Sequence, residues 1–124
     1  MRVLVIEPEQ KPYVKEISEG LDSLQREVDG YIQSIYPWNE PCAIICDDEA
    51  KLKGKPLNRA LRDEDNQIYD IIAGTFLIVG LGDENFISLD DTQVETFKEK
   101  FSIPERFLYI EDKLVVIPMG VVET

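Results

Sequence analysis

The sequence predicts an α+β fold, in which a mostly antiparallel sheet of about five to seven strands carries two helices packed on one face. Short runs of β-branched and aromatic residues follow one another along the chain, which is typical of strands that pair with their sequence neighbours. Two other segments repeat apolar residues at helical spacing. The length of 124 residues is sufficient for one domain with its own hydrophobic core.

The amino-terminal half combines strands with one helix. Residues 2–7 read as a buried strand, and residues 13–17 read as the second strand of a hairpin whose turn lies between two prolines. A helix follows, which we expect to begin after Ser18 as the N-cap residue and to end before Gly30. Two further strands are predicted in this half, at residues 31–36 and 42–46.

The longest apolar run of the chain, residues 67–82, is the centre of the predicted sheet. Its many β-branched and aromatic side chains favour a central strand or strand pair, and Gly74 marks a bulge, a bend or a turn within it. The preceding segment, residues 55–62, has weak helical character, which predicts a single helical turn after Pro56.

The clearest helix signal lies in the carboxyl-terminal part of the chain. Asp90 and Gln93 have the spacing of a capping box, and an apolar stripe follows until the helix stops before Pro104. Beyond it, two apolar segments flank an acidic turn at residues 111–112, and this pattern predicts a terminal β-hairpin.

The chain is expected to fold as one domain with one extension. Residues 1–105 form the α+β domain, and residues 106–124 form a hairpin extension packed on it, whose last residues from Gly120 are expected to fray. No apolar segment has the length of a membrane span, and Met1 leads directly into a strand rather than a signal peptide. The predicted location is therefore the cytoplasm, with no membrane partner.

The net charge of −12, from 13 basic and 25 acidic residues, limits the partners of the protein. A nucleic-acid-binding protein needs a basic surface, so we expect no direct binding to nucleic acid. The excess of acidic residues has two interpretations. It serves solubility alone, or it forms a surface that competes with nucleic acid for a basic partner protein.

Most catalytic and metal-binding chemistries lack their usual residues. The chain has no histidine, which removes the commonest general base and metal ligand. Cys42 and Cys46 lie four apart on one predicted strand, too far from each other for a disulfide or a shared metal ion, so we interpret them as core residues. The sequence therefore predicts no catalytic residue, no metal ligand, no cofactor and a non-enzymatic protein.

A basic island between acidic segments is one candidate ligand-binding or partner-binding site. Arg59 and Arg62 would share one helical face beside Asn58, and together with Tyr69 they would form a pocket for a carboxylate or phosphate. The alternative interpretation is structural. In that case the arginines pair internally with one of three aspartates, Asp63, Asp65 or Asp70.

An aromatic edge beside a proline-rich turn is the second candidate. It consists of Tyr31, Tyr36 and Trp38, and Trp38 is the residue we assign to the site. Core packing is the plainer interpretation of these rings. The other interpretation is a surface on which a partner or a nucleobase stacks.

Four stretches of the sequence resemble a known family. They are RVLVIEP at residues 2–8, LQREVDGYI at 24–32, PLNRAL at 56–61 and DIIAGTF at 70–76. Together they resemble the family called domain of unknown function 3846, over roughly residues 1–105. The resemblance implies a protein of phages and conjugative elements of Gram-positive bacteria, often encoded near antirestriction and plasmid-transfer genes. No activity is known for this family, so the resemblance carries over no catalytic residues.

The combined expectation is a small acidic binding protein of a phage or mobile element, with a counter-defence or regulatory role. It would sequester an anionic, nucleotide-like small molecule or inhibit a host protein, an inference that rests on context rather than on a site. The alternative is a magnesium-dependent enzyme that acts on a nucleotide. The sequence leaves open whether the chain forms a homo-oligomer.

Overall fold

The computed structural model describes residues 1–120 and confirms the α+β class, with two helices and ten strands in that part of the chain. All of its strand pairs are antiparallel. The strands are β1 (Arg2–Ile6), β2 (Tyr13–Glu16), β3 (Ile32–Ile35), β4 (Cys42–Asp47), β5 (Leu57–Arg62), β6 (Ile68–Ala73), β7 (Phe76–Leu81), β8 (Phe86–Ile87), β9 (Glu105–Ile110) and β10 (Lys113–Pro118). The helices are α1 (Leu21–Val28) and α2 (Asp91–Lys100).

Six strands form the main sheet, in the order β2–β1–β7–β4–β3, with β8 paired to the end of β7. β7 is central because it pairs with β1 on one side and with β4 on the other. Five of its six residues are buried. A strand that is covered on both faces reads as a continuous apolar run rather than an alternating one. The central strand predicted within residues 67–82 is therefore β7.

Alternate residues of the main sheet project into two separate hydrophobic clusters. Leu4 of β1 lies in the cluster that contains Phe97 of α2, whereas its neighbour Val3 lies in the cluster that contains Leu24 of α1. Neighbouring residues of a strand point to opposite faces. The two helices therefore cover opposite faces, and the expectation that both pack on one face is wrong. Helical spacing identifies the buried stripe of a helix but not the sheet face that it covers.

Residues 57–62 form strand β5, so the helical turn predicted after Pro56 is wrong. β5 pairs with β6 in a separate two-stranded sheet, and its buried Leu61 joins the cluster beneath α2. Gly74, with a φ of 74°, separates β6 from β7. Four consecutive residues of β5 are buried. This burial outweighs a weak local preference for helix.

The ends of the two helices differ in how well the sequence predicts them. The capping box of α2 is present: the Gln93 backbone N–H donates to Asp90 Oδ1 at 2.7 Å, and the Asp90 backbone N–H donates to Gln93 Oε1 at 2.9 Å. In α1 the N-cap residue is Gly20, without a side-chain hydrogen bond, so Ser18 does not cap the helix. Gly30 follows the last turn of α1, as predicted.

Strands β9 and β10 form the predicted terminal hairpin. Its turn residues Glu111 and Asp112 have φ values of 51° and 66°, the left-handed conformation that tight two-residue hairpins require. The side chain of Glu105, at the start of β9, anchors the hairpin, because its Oε1 accepts the backbone N–H of Ala60 at 2.8 Å. Most of the terminal segment expected to fray, residues 121–124, lies outside the described residues.

Cys42 and Cys46 are buried free thiols on β4, and both lie in the cluster beneath α2. Their interpretation as core residues is confirmed. Burial, with smaller contributions from nearby carboxylates, raises the pKa of each thiol to about 11. At neutral pH both thiols are therefore protonated, which makes them poor nucleophiles.

A buried carboxylate fastens the loop between β4 and β5 to α1. Asp47 Oδ2 accepts from Lys53 Nζ at 2.9 Å and from Lys55 Nζ at 2.7 Å, and Lys55 also donates to the backbone carbonyls of the last residues of the helix. Gly30 makes room for the carboxylate, because a Cβ there would lie 2.4 Å from Asp47 Oδ1. Burial alone would raise the pKa of Asp47, but hydrogen bonds from the two lysines and from the backbone N–H of Glu49 outweigh it and lower the pKa to about 2.

This network predicts a specific acid sensitivity. The pKa of Asp47 is lowered from 3.8 to about 2 on folding, so its stabilisation is complete above the ordinary value and is lost as the pH falls towards 2. We expect Asp47→Asn to cost about 2 kcal/mol of unfolding free energy at neutral pH. As the pH is lowered from about 4 towards 2, the melting temperature of the Asp47→Asn variant should fall less steeply than that of the wild type. The matched control is Asp48→Asn at the exposed neighbouring position, and identical acid profiles for all three proteins would contradict the prediction.

Candidate functional site

A cleft of about 510 Å³ lies beside β5, the carboxyl end of α2 and the start of β9. A neighbouring depression of about 570 Å³ shares part of its wall. Both are lined by Trp38, Arg62, Asp63, Tyr69 and Lys100. We call this combined surface the aromatic cleft. Four of the five residues assigned to the site from the sequence border it: Trp38, Arg59, Arg62 and Tyr69.

Asn58 does not line the aromatic cleft. Its side chain is fully buried, and its Nδ2 donates to the carbonyl of Ile6 at 2.9 Å and to the carbonyl of Gly74 at 2.8 Å. Its Oδ1 accepts from Nη1 of Arg59 at 2.8 Å. These contacts join β5 to β1 and to the turn before β7, so Asn58 has a structural role.

Arg59 borders the cleft, but its guanidinium is directed inward and only 1% of the residue is exposed. Nη2 donates to the carbonyl of Gln10 at 2.7 Å and to the carbonyl of Phe101 at 3.0 Å. Phe101 is the C-cap residue of α2, and the backbone carbonyls at that end, which have no partner within the helix, favour a nearby cation. Burial lowers the pKa of Arg59, an effect that the charge of Glu105 opposes. Arg59 therefore stabilises the fold and is not available to bind a ligand.

Arg62 is the arginine of the island that remains accessible. Its Nη2 lies 3.0 Å from Oε2 of Glu105, and its side chain is 34% exposed, against 8% for its partner. The predicted internal partners of the arginines, Asp63, Asp65 and Asp70, are not the residues that they contact. Asp70 pairs instead with Lys51, whose Nζ lies 3.2 Å from Asp70 Oδ1.

The two aromatic residues that line both parts of the cleft, Trp38 and Tyr69, are supported differently. The ring of Trp38 packs on Phe97 with centroids 4.4 Å apart and on Phe101 with centroids 6.1 Å apart, so it is held from below. Tyr69 lies on β6 and is 54% exposed. Tyr31 and Tyr36 line neither part of the aromatic cleft. The three residues of the predicted aromatic edge therefore do not line one surface, because Trp38 lines the aromatic cleft and neither tyrosine does.

Sequence reasoning missed Lys100, which lies in the last turn of α2 and lines both parts of the cleft. It is exposed and forms no salt bridge within residues 1–120. The cleft also contains carboxylates, but Asp63 Oδ1 is occupied by the backbone N–H groups of Asp65 and Gln67, each at 2.9 Å. The signal in the sequence that could have pointed to Lys100 is its place in the last turn of the predicted helix, because cations are favoured there.

The described part of the chain, residues 1–120, contains no group of three or more His, Cys, Asp or Glu side chains placed to hold a metal ion. Neither of the helices in that range is long and apolar enough to cross a membrane. The aromatic cleft itself brings together two rings, Trp38 and Tyr69, and two accessible cations, Arg62 and Lys100.

The different roles of the arginines predict different mutational costs. Arg59→Met leaves the carbonyls of Gln10 and Phe101 without their buried donor and should cost at least about 3 kcal/mol of unfolding free energy. Arg62→Met removes a partly exposed pair and should cost about 1 kcal/mol. Arg106→Met is the control, because Arg106 and its partner Glu9 are both exposed and lie 3.8 Å apart. This change should alter the unfolding free energy by less than about 0.5 kcal/mol. Urea unfolding measures all three, and equal costs for Arg59 and Arg106 would refute the structural role.

Comparison with known proteins supports the family and leaves the activity open. The family model described as Domain of unknown function (DUF3846) matches residues 1–102. This range includes β1 to β8 and both helices, and it ends just before the hairpin. No curated protein and no solved structure matches the chain. The match covers most of the sequence, and the chain therefore belongs to the DUF3846 family.

Proposed function

We propose that the protein is a non-enzymatic binding protein whose aromatic cleft captures an anionic, nucleotide-like small molecule. The observation that carries the proposal is the meeting of Trp38 and Tyr69 with Arg62 and Lys100 on one concave surface. Small-molecule sites combine apolar and aromatic walls with a few polar groups that fix orientation. This cleft has both.

The aromatic pair supplies a place for a planar ring. Base stacking on an aromatic side chain is worth roughly 1–3 kcal/mol. Trp38 is already held by Phe97 and Phe101, so little side-chain freedom is lost when a ligand binds to it. Arg62 has the planar donor geometry that suits phosphate or carboxylate, and its contact with Glu105 keeps it in place at the cleft.

The charges around the cleft limit the number of phosphates in the ligand. Arg62 and Lys100 share the surface with five carboxylates, those of Glu40, Asp63, Glu64, Glu99 and Glu105. A highly charged polyphosphate would meet repulsion from these carboxylates. The surface is better suited to a nucleotide-like molecule with one or two negative charges, such as a nucleoside monophosphate.

The biological setting of the proposal comes from the family resemblance. On that resemblance we place this protein in the cytoplasm of a bacterium that hosts a phage or mobile element, among counter-defence or regulatory factors. Capture of a nucleotide signal fits the cleft, and inhibition of a host protein by direct docking is the second version. A magnesium-dependent nucleotide enzyme is the remaining alternative, and no carboxylate cluster of residues 1–120 favours it.

Calorimetry against a panel of nucleoside monophosphates, cyclic nucleotides and triphosphates tests the proposal. We expect one member with few charges to bind the wild type, and Tyr69→Ala and Lys100→Ala each to weaken that binding about tenfold or more, because each removes a stacking or ionic contact. The matched controls on the hairpin are Tyr109→Ala and Arg106→Ala, which remove an exposed ring and an exposed cation that line neither part of the cleft. These controls should bind as the wild type does.

Three results would count against ligand capture. They are silence across the panel, equal loss in the hairpin controls, and turnover of a nucleotide on addition of Mg²⁺. The last result would favour the enzyme.

A further inference from the structure

A second groove, of about 650 Å³, lies on the sheet face that α1 covers, between the first turn of α1 and the loop that joins β7 to β8. We call it the α1 groove. It shares no lining residue with the aromatic cleft. Nothing in the proposed ligand capture uses it, so an inference about this groove stands or falls independently.

The floor and lips of the α1 groove are apolar. Leu24 at the floor belongs to the buried core, and Ile32, Leu81 and Phe86 pack against the same cluster while remaining partly exposed. At the lips, Leu21 is 55% exposed and Tyr36 is 59% exposed. Large apolar side chains left open around a concavity are typical of a surface that another molecule covers.

The charged side chains of the groove have one sign. Glu19, Asp83 and Glu84 line it, and no lysine or arginine of residues 1–120 does. The amino-terminal ammonium of Met1, which also lines the groove, is paired with Glu16. The aromatic cleft, in contrast, mixes both signs. An apolar floor inside an acidic rim is complementary to an apolar anchor flanked by cations.

The rim is held in a defined shape by the turn that carries two of its carboxylates. The Gly82 N–H donates to the carbonyl of Asn85 at 2.8 Å, which closes the turn around Asp83 and Glu84. A Cβ at Gly82 would lie 2.9 Å from Cγ2 of Ile87 and 3.2 Å from the carbonyl oxygen of Asn85. The turn is therefore packed closely on β8, which limits the movement of the rim.

We propose that the α1 groove docks a cationic, amphipathic segment of a partner protein, with apolar side chains on the floor and lysines or arginines against Glu19, Asp83 and Glu84. The charge of the chain argues against other occupants. A second copy would bring another net charge of −12 to an acidic rim, and an anionic membrane surface would be repelled in the same way. The protein would thus engage a basic partner protein at one defined place rather than through a diffuse acidic surface.

The probe for this proposal is a fluorescent synthetic helix of leucine and lysine, with its leucines on one face. We expect it to bind the full chain, and added salt should weaken the binding because the rim contacts are ionic. Two altered peptides, one with glutamate for lysine and one with serine for leucine, should not bind. Amide shifts in NMR spectra should cluster in the first turn of α1 and at residues 81–86.

Variants of the protein locate the contact. Tyr36→Ala removes an exposed aromatic ring from the edge of the α1 groove and should weaken binding of the peptide about tenfold. Asp83→Asn with Glu84→Gln removes two rim charges and should weaken it about three- to tenfold. The matched control, Glu49→Gln with Glu95→Gln, removes the same charge from two exposed positions outside the groove and should bind as the wild type does.

Four outcomes would overturn the proposal. They are no binding even at low salt, equal weakening by the control pair, amide shifts centred on Trp38 and Tyr69, and concentration-dependent dimerisation of the wild type that Tyr36→Ala abolishes. The third would move the contact to the aromatic cleft, and the fourth would make a second copy the occupant. Thermal unfolding of each variant confirms that a loss of binding is not a loss of fold.

Discussion

The buried guanidinium of Arg59 is the contact on which the arrangement of this fold most depends. It connects three elements that the main sheet does not itself join: β5, the loop after β1 and the carboxyl end of α2. A buried charge is costly unless its donors are satisfied. Here carbonyl and amide oxygens satisfy them, and Asn58 extends the same network to β1 and to the turn at Gly74. The two-stranded sheet of β5 and β6 and the helix α2 are thereby fixed to each other. They form part of the wall of the aromatic cleft, which is fixed with them.

The central position of β7 separates two surfaces of different chemistry. Because β7 is covered on both faces, each face of the sheet develops its own cluster and its own concavity. The face of α2 carries rings and cations, and the face of α1 carries an apolar groove with an acidic rim. A chain with one net sign of charge therefore presents two surfaces of different composition, because the sheet and its two hydrophobic clusters lie between them.

Local signals in the sequence were sufficient where the stabilising contact is itself local. The capping box of Asp90 and Gln93 and the turn of the terminal hairpin are of this kind. The conformation of residues 57–62 was not predictable in this way, because Asn58 and Arg59 are buried by partners distant in sequence. The aromatic cleft was half predictable. Residue type identified Trp38, Arg62 and Tyr69, but only the packing of α2 against β5 brings Lys100 beside them.

Glu105 has a wider consequence for the family. Its carboxylate satisfies the backbone N–H of Ala60 and neutralises Arg62, yet it belongs to the hairpin and lies beyond the residues that the family model matches. A relative that ended at the equivalent of residue 102 would keep the rings and the arginine but would leave that arginine without its counter-ion. The same scaffold would then present a more electropositive cleft. In the proposed ligand capture, the hairpin would therefore tune the charge of the cleft, so that ligand preference could diverge between relatives while the domain matched by the family model stays unchanged.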